Sequence, residues 1–135
     1  MLFQPHGKIG DGPNGSGPAT MRITSHNVDS LTPEEIPALC QNTDILLIQE
    51  ADVSRADFGV YRRAFARENF NVFYGGQPKH GTNKARVGKT AVVTAVRNTF
   101  AAQPAPKVEG TMWSSGRFLP VLVGLGEGCC LVCNL

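Results

Sequence analysis

Two short apolar runs joined by a proline-punctuated connection constrain this chain more than any other feature. The first run lies within Met21–Val28, with Ile23 and Val28 as apolar members and β-branched Thr24 between them, and reads as a strand. The second, Asp44–Glu50, carries Ile45-Leu46-Leu47-Ile48 without a polar interruption, the signature of a strand buried on both faces. Between them Thr32, Pro33 and Glu35 spell a helix start: an N-cap, a proline at the first helical position and a capping-box acid. Pro37 weakens that helix after one turn, so a short, distorted helix to about Cys40 is predicted. If the two runs lie side by side, Asn27 and Glu50 share one end of the pair. A carboxamide and a carboxylate are oxygen donors, and oxygen donors suit a hard cation such as Mg²⁺. The pattern alone leaves a plainer explanation open, because Asn after a strand forms turns and Glu at a strand end commonly faces water.

The rest of the chain alternates in kind. Ser54–Asn69 has helical spacing, with Phe58, Tyr61 and Phe65 on one face and Arg62, Arg63, Arg67 and Glu68 elsewhere. Ser54 or Asp57 can cap it. Phe70–Tyr74 reads as a strand, Gly75–Gly88 as a basic loop, and Thr90–Val96 as a strand rich in β-branched residues. Asn98–Pro106 reads as a connection. Phe118–Val123 and Cys129–Leu135 read as a hairpin around a five-residue loop, Gly124–Gly128. Strands interleaved with helices make an α/β fold with a mixed sheet under at least one helix layer. Residues 1–20, dense in Gly and Pro, read as a disordered lead, and residues 21–135 as the organised domain.

Charge is unevenly placed. From Met1 to Glu68 there are nine acids and six Lys or Arg, whereas Asn69–Val108 holds six bases and no acid. That asymmetry suits either an anionic partner or a solvated basic loop. No apolar run is long enough to span a membrane, and the N-terminus lacks a signal-peptide core, so no membrane association and an intracellular setting with reduced cysteines are expected.

Three further motifs fall away on structural grounds. Gly10, Gly12 and Gly15 have dinucleotide-loop spacing but follow no strand and open no helix. Asn83–Thr90 approaches a phosphate-binding P-loop, yet its first glycine is Asn83 and a strand follows Thr90. Cys130 and Cys133 lie three apart on a strand, so they face opposite ways and cannot chelate one ion together. Trp113 can stack on a base, but a single Trp is more often a core or rim residue.

Arg22–Val28 (R-I-T-S-H-N-V) and Asp44–Glu50 (D-I-L-L-I-Q-E) together resemble the opening of the endonuclease/exonuclease/phosphatase superfamily. That superfamily spans exonuclease III-like repair nucleases, non-LTR retrotransposon endonucleases, pancreatic-type deoxyribonucleases and inositol polyphosphate phosphatases. Val87–Thr94, Ser115–Val123 and Cys129–Leu135 resemble its next strand and hairpin. The resemblance implies part of a DNase I-like four-layer α/β sandwich, truncated, with two mixed sheets face to face. It makes Asn27 and Glu50 metal-site residues for Mg²⁺, with Mn²⁺ as the alternative. It lays the basic loop over the substrate face, where Arg86 or Lys89 can contact phosphates or nucleic acid; Arg117 can face a phosphate or a carboxylate on a neighbouring strand.

The superfamily's later motifs, an Asp-x-Asn pair, a further Asp and a closing Asp-His, have no counterpart here. The chain therefore reads as the N-terminal fragment of a Mg²⁺-dependent phosphodiester hydrolase acting on nucleic acid, inactive alone. The alternatives are a non-catalytic fragment that binds nucleic acid or a partner, and a fragment of a lipid or inositol phosphatase. A largely missing second sheet would leave one face of Ile45–Ile48 and Ala91–Val96 bare, with rapid amide exchange there and association through the exposed sheet face.

Overall fold

The computed structural model describes residues 20–76, 88–105 and 119–135. The lead up to residue 19, Arg86 and most of the basic loop, and Trp113 and Arg117 lie outside the described residues.

A four-stranded mixed sheet forms the middle layer, in the order β1 (Ile23–Asn27), β2 (Ile45–Gln49), β6 (Val93–Arg97), β4 (Phe70–Tyr74). The two opening runs do lie side by side. β1 and β2 are parallel, with Ile23 opposite Ile45 and Asn27 opposite Gln49. β6 runs antiparallel to both its neighbours, β2 and β4. The crossover from β1 to β2 carries the short helix predicted from its caps, a 3-10 turn at Pro33–Glu35 leading into α1 (Ile36–Leu39). The Glu35 carboxylate turns back to accept the Thr32 backbone N–H at 2.8 Å and its hydroxyl at 3.0 Å. α2 (Phe58–Arg67) follows a 3-10 turn at Arg55–Asp57, where the Ser54 hydroxyl donates to Asp57 at 2.8 Å.

Both faces of the sheet are covered. On one face Leu46, Ile48, Val93 and Ala95 pack against Ile36, Tyr61, Ala64 and Phe65 of the helices. Phe58, at the start of α2, stacks on Tyr74 of β4 with ring centroids 3.8 Å apart. On the other face Ile45, Leu47, Val92 and Val96 meet a second, three-stranded antiparallel sheet, β7 (Ala102–Pro104), β8 (Leu119–Leu125) and β9 (Gly128–Asn134). Alternation selects the residues of that sheet which point inward: Leu119, Val121, Val123 and Leu125 from β8, Cys130 and Val132 from β9.

The described layers are therefore helices, mixed sheet and antiparallel sheet. This overturns the expected bare face. Ile45–Ile48 are each at most 5 % exposed, and Val92–Val96 are buried too, because the hairpin and β7 already form a second sheet wide enough to roof them. With β6 paired on both sides, its amides are expected to be protected from exchange rather than labile.

Three boundaries differ from the sequence reading. The single strand expected over Thr90–Val96 is two. β5 (Lys89–Thr90) pairs with β3 (Val53–Ser54) in a separate ribbon, and β6 begins only at Val93. The break comes at Ala91, whose carbonyl accepts the Ala51 N–H, while the buried Thr90 hydroxyl donates to Val92 O across the bend. The connection after Asn98 contains β7, an edge strand where Pro104 costs no ladder donor. The hairpin loop is two residues, Gly126-Glu127, and Gly126 takes the positive φ of +60° that glycine supplies cheaply at the first position of such a loop. Cys130 and Cys133 do face opposite ways, but only Cys130 is buried; Cys133 is exposed, so the pair is not two small buried cysteines.

Candidate metal and phosphate site

The parallel register delivers Asn27 and Glu50 to the same end of the middle sheet. Asn27 is the last residue of β1 and lies opposite Gln49, the last of β2, and Glu50 is the next residue. Beyond the strands the two chains keep pace. The Val28 N–H donates to Gln49 O at 3.1 Å, Ser30 N–H to Glu50 O at 2.7 Å, and Leu31 N–H to Ala51 O at 2.9 Å. The Ala51 N–H donates in turn to Ala91 O at 2.9 Å, which ties this end to the bend before β6.

The backbone here is unusual. Asp29, Ser30, Glu50 and Asp52 all have φ between +49° and +75°, the left-handed region that non-glycine residues seldom occupy. Each such residue costs on the order of 1–3 kcal/mol, and strain of this kind collects where a fold must aim side chains rather than merely connect strands. At Glu50 the left-handed turn breaks the strand's strict alternation just where the carboxylate leaves the sheet.

Asn27 is exposed and Glu50 half-buried, so both oxygen donors reach solvent. Among the described residues no group of three or more His, Cys, Asp or Glu side chains could hold a metal ion. The donor chemistry thus fits a hard cation that keeps most of its water, as Mg²⁺ does with one or two protein carboxylates, and does not form a closed site by itself. Lys89 sits half-buried on β5, paired with Ser54 in the ribbon just beyond Glu50, so the fold carries it toward the same end. Arg86 and Arg117 lie outside the described residues.

Two amides that sequence reasoning gave no role form the floor of this end. Gln49 projects toward the second sheet, on the same face as Ile45 and Leu47. Its Oε1 accepts the Ser25 hydroxyl at 3.1 Å and its Nε2 donates to Asn134 Oδ1 at 2.8 Å. Asn134, 1 % exposed at the end of β9, donates from Nδ2 to Val93 O at 2.9 Å, Ile48 O at 3.1 Å and Thr94 Oγ1 at 3.3 Å. A signal was present in the sequence: Asn134 falls in phase with the inward-facing Cys130 and Val132, and a polar residue in an apolar series must find partners.

Asp44, which the superfamily resemblance also aligned, works at the opposite end of β2. It accepts the Arg22 N–H at 2.9 Å and Arg97 Nε at 3.3 Å.

With this geometry in view, comparison with solved structures gives a consistent answer. The AP endonuclease of Archaeoglobus fulgidus superposes with a TM-score of 0.55 at 21 % identity, over 76 % of this chain and 37 % of that one. The endonuclease domain of TRAS1, a telomere-specific non-LTR retrotransposon, superposes with a TM-score of 0.53 at 16 % identity, over 84 % of this chain and 44 % of that one. The described residues share the fold of these two structures, a DNase I-like α/β sandwich. The chain spans less than half the length of these two structures. No protein-family model matches the sequence, and no curated protein matches it. Among the described residues no helix is long and apolar enough to cross a membrane.

Proposed function

We propose that this chain supplies the first-sheet part of the active site of a Mg²⁺-dependent phosphodiester hydrolase acting on nucleic acid, and that it does not turn over substrate alone. The observation that carries the reading is the convergence of Asn27 and Glu50 at one end of parallel strands, on a backbone bent into the left-handed region at Glu50. The nuclease fold of the two matched structures supports the nucleic-acid preference over a lipid or inositol phosphate. Mg²⁺ or Mn²⁺, when bound, would polarise a phosphoryl oxygen and ease ionisation of a water. Asn27 and Glu50 are the residues that would hold it. Lys89, with Arg86 and Arg117, would offset charge on flanking phosphates. A site that brings together two oxygen donors among the described residues supports the proposal of no turnover by the chain alone, because hydrolysis also needs an oriented nucleophile and charge stabilisation.

The test is a titration of the chain with Mn²⁺, followed by paramagnetic broadening, and incubation with nicked and abasic duplexes in Mg²⁺. Mn²⁺ binding that Glu50→Gln abolishes is expected, with no cleavage. Glu50-dependent cleavage by the 135-residue chain would overturn the inactivity. Salt-sensitive duplex binding without Glu50-dependent metal binding would instead favour a non-catalytic nucleic-acid-binding role.

A further inference from the structure

We infer that the Gln49–Asn134 amide pair is a positioning element for Glu50, holding its left-handed turn from the side of the second sheet. The inference deepens the cation-site reading above and rests on it for its purpose. The apolar contact between the sheets ends in this pair rather than in more aliphatic packing.

Gln49 precedes Glu50, so any rotation of the Gln49 peptide re-aims the Glu50 carboxylate. The Gln49 side chain is gripped from both sides, by the Ser25 hydroxyl on β1 and by Asn134 on β9. Asn134 is itself immobilised. Its Nδ2 reaches the carbonyls of Ile48 and Val93, which face each other in the last rung between β2 and β6. One buried amide therefore fixes the end of the β2–β6 ladder and the side chain of the following residue at once. A buried amide that spent its donors and acceptor inside its own sheet would show no such reach, and an aliphatic residue would have filled the space with less desolvation to offset. Glu50 is then held on three sides. Its carbonyl accepts Ser30 N–H, the next N–H is taken by Ala91 O, and the residue before it is clamped. Asn27, opposite Gln49 in the register, shares that support. Residues that orient metal-ligating carboxylates are commonly such second partners, and losing one lowers metal affinity about 10–100-fold.

The test separates positioning from general stability with three variants of the full chain. Asn134→Ala removes the clamp. Gln49→Ala removes only the link to Glu50 and leaves the Asn134 donors on Ile48 and Val93, so it keeps the sheets joined. Val132→Ala weakens the same strand by trimming a buried side chain that hydrogen-bonds to neither amide. Amide exchange is read at Ser30, Leu31 and Ala51, and at Asp44, Ile45 and Arg97 at the far end. Asn134→Ala and Gln49→Ala are expected to speed exchange selectively at the first group by about tenfold, roughly the worth of one hydrogen bond. Val132→Ala should move both groups together or neither. Mn²⁺ affinity should fall about tenfold or more in the two amide variants and stay near wild type in Val132→Ala. Unchanged exchange at Ser30 and Ala51 in Gln49→Ala would overturn the inference, as would an equal selective change in Val132→Ala. If wild type shows no Glu50-dependent Mn²⁺ binding, the cation reading fails, and exchange alone then decides whether the amides hold Glu50.

Discussion

The two ends of the β1–β2 pair are built on opposite principles. At the N-terminal end every strong polar group is spoken for. Asp44 receives Arg22 N–H and the Arg97 guanidinium, Arg97 also donates to Thr43 O at 2.6 Å and lies 4.7 Å over the Phe70 ring, and the Thr43 hydroxyl donates to Ile45 O at 2.9 Å. At the C-terminal end Asn27 and Glu50 look outward, and four residues sit at positive φ. One end of the sheet is closed by paired charge, with positive φ at Asn42 and Asn69, a residue type that tolerates it; the other is held open, with Asp29, Ser30, Glu50 and Asp52 in that region. On the proposed reading, stability and chemistry fall to different ends of the same two strands.

The largest expected difference between the ends is in thiol reactivity. Burial pushes the Cys40 thiol up to about 12, with Glu68 adding to the rise and Arg97 opposing it. Cys40 is 5 % exposed, whereas Cys133 is exposed on the outer face of β9. Alkylation with iodoacetamide at pH 8, followed by peptide mass, should find Cys133 modified at least about a thousandfold faster. The sign for stability follows from the raised value. The contribution of a neutral Cys40 is full below the unfolded thiol's 9.0 and is lost as pH rises through about 12. Tyr74, also raised to about 12 mainly by burial, acts in the same direction, so urea midpoints should fall between pH 9 and 12. A flat profile over that window would break the picture of a tightly closed core.

Next in size is Asp44→Ala. It strands the Arg97 guanidinium and the Arg22 N–H, and should cost about 2–3 kcal/mol in urea denaturation. The Arg22 ion pair adds little, because that side chain is 59 % exposed.

The open end should respond in the reverse sense. Glu50→Gly relieves a left-handed residue at φ +54° and should raise stability by about 1 kcal/mol while abolishing Mn²⁺ binding. A loss of stability there would remove the contrast between the ends. Smallest of all is Asn27→Ala. Its side chain is exposed, so unfolding should shift within about 0.5 kcal/mol, with Mn²⁺ affinity reduced.

Much of the closed, repetitive part of the fold was legible in the sequence. The unbroken Ile45–Ile48 run, the Thr32–Pro33–Glu35 start and the Phe58/Tyr61/Phe65 spacing each state a local physical requirement, and each was met. Asn27 and Glu50, proposed from pattern and resemblance, are brought to one end of the sheet by the parallel register. What escaped depends on contacts far apart in sequence. The split of β5 from β6 is set by Ala51 reaching Ala91, and β7 exists only because β8 offers it a ladder. The expected bare face failed for the same reason: whether Leu119–Leu125 roofs the first sheet is a matter of packing, which local pattern does not state.

The Gln49–Asn134 contact also carries a consequence for biosynthesis. Its partners are separated by 85 positions, so a ribosome that has already exposed β1, β2 and both helices still has not released the residue that locks the last rung of β2 against β6. Contacts across such separations form late. Nascent chains stalled before residue 134 should therefore show helical contacts around Phe65 but an unlatched Glu50, and their sensitivity to protease at Glu50–Ser54 should vanish only when β9 emerges.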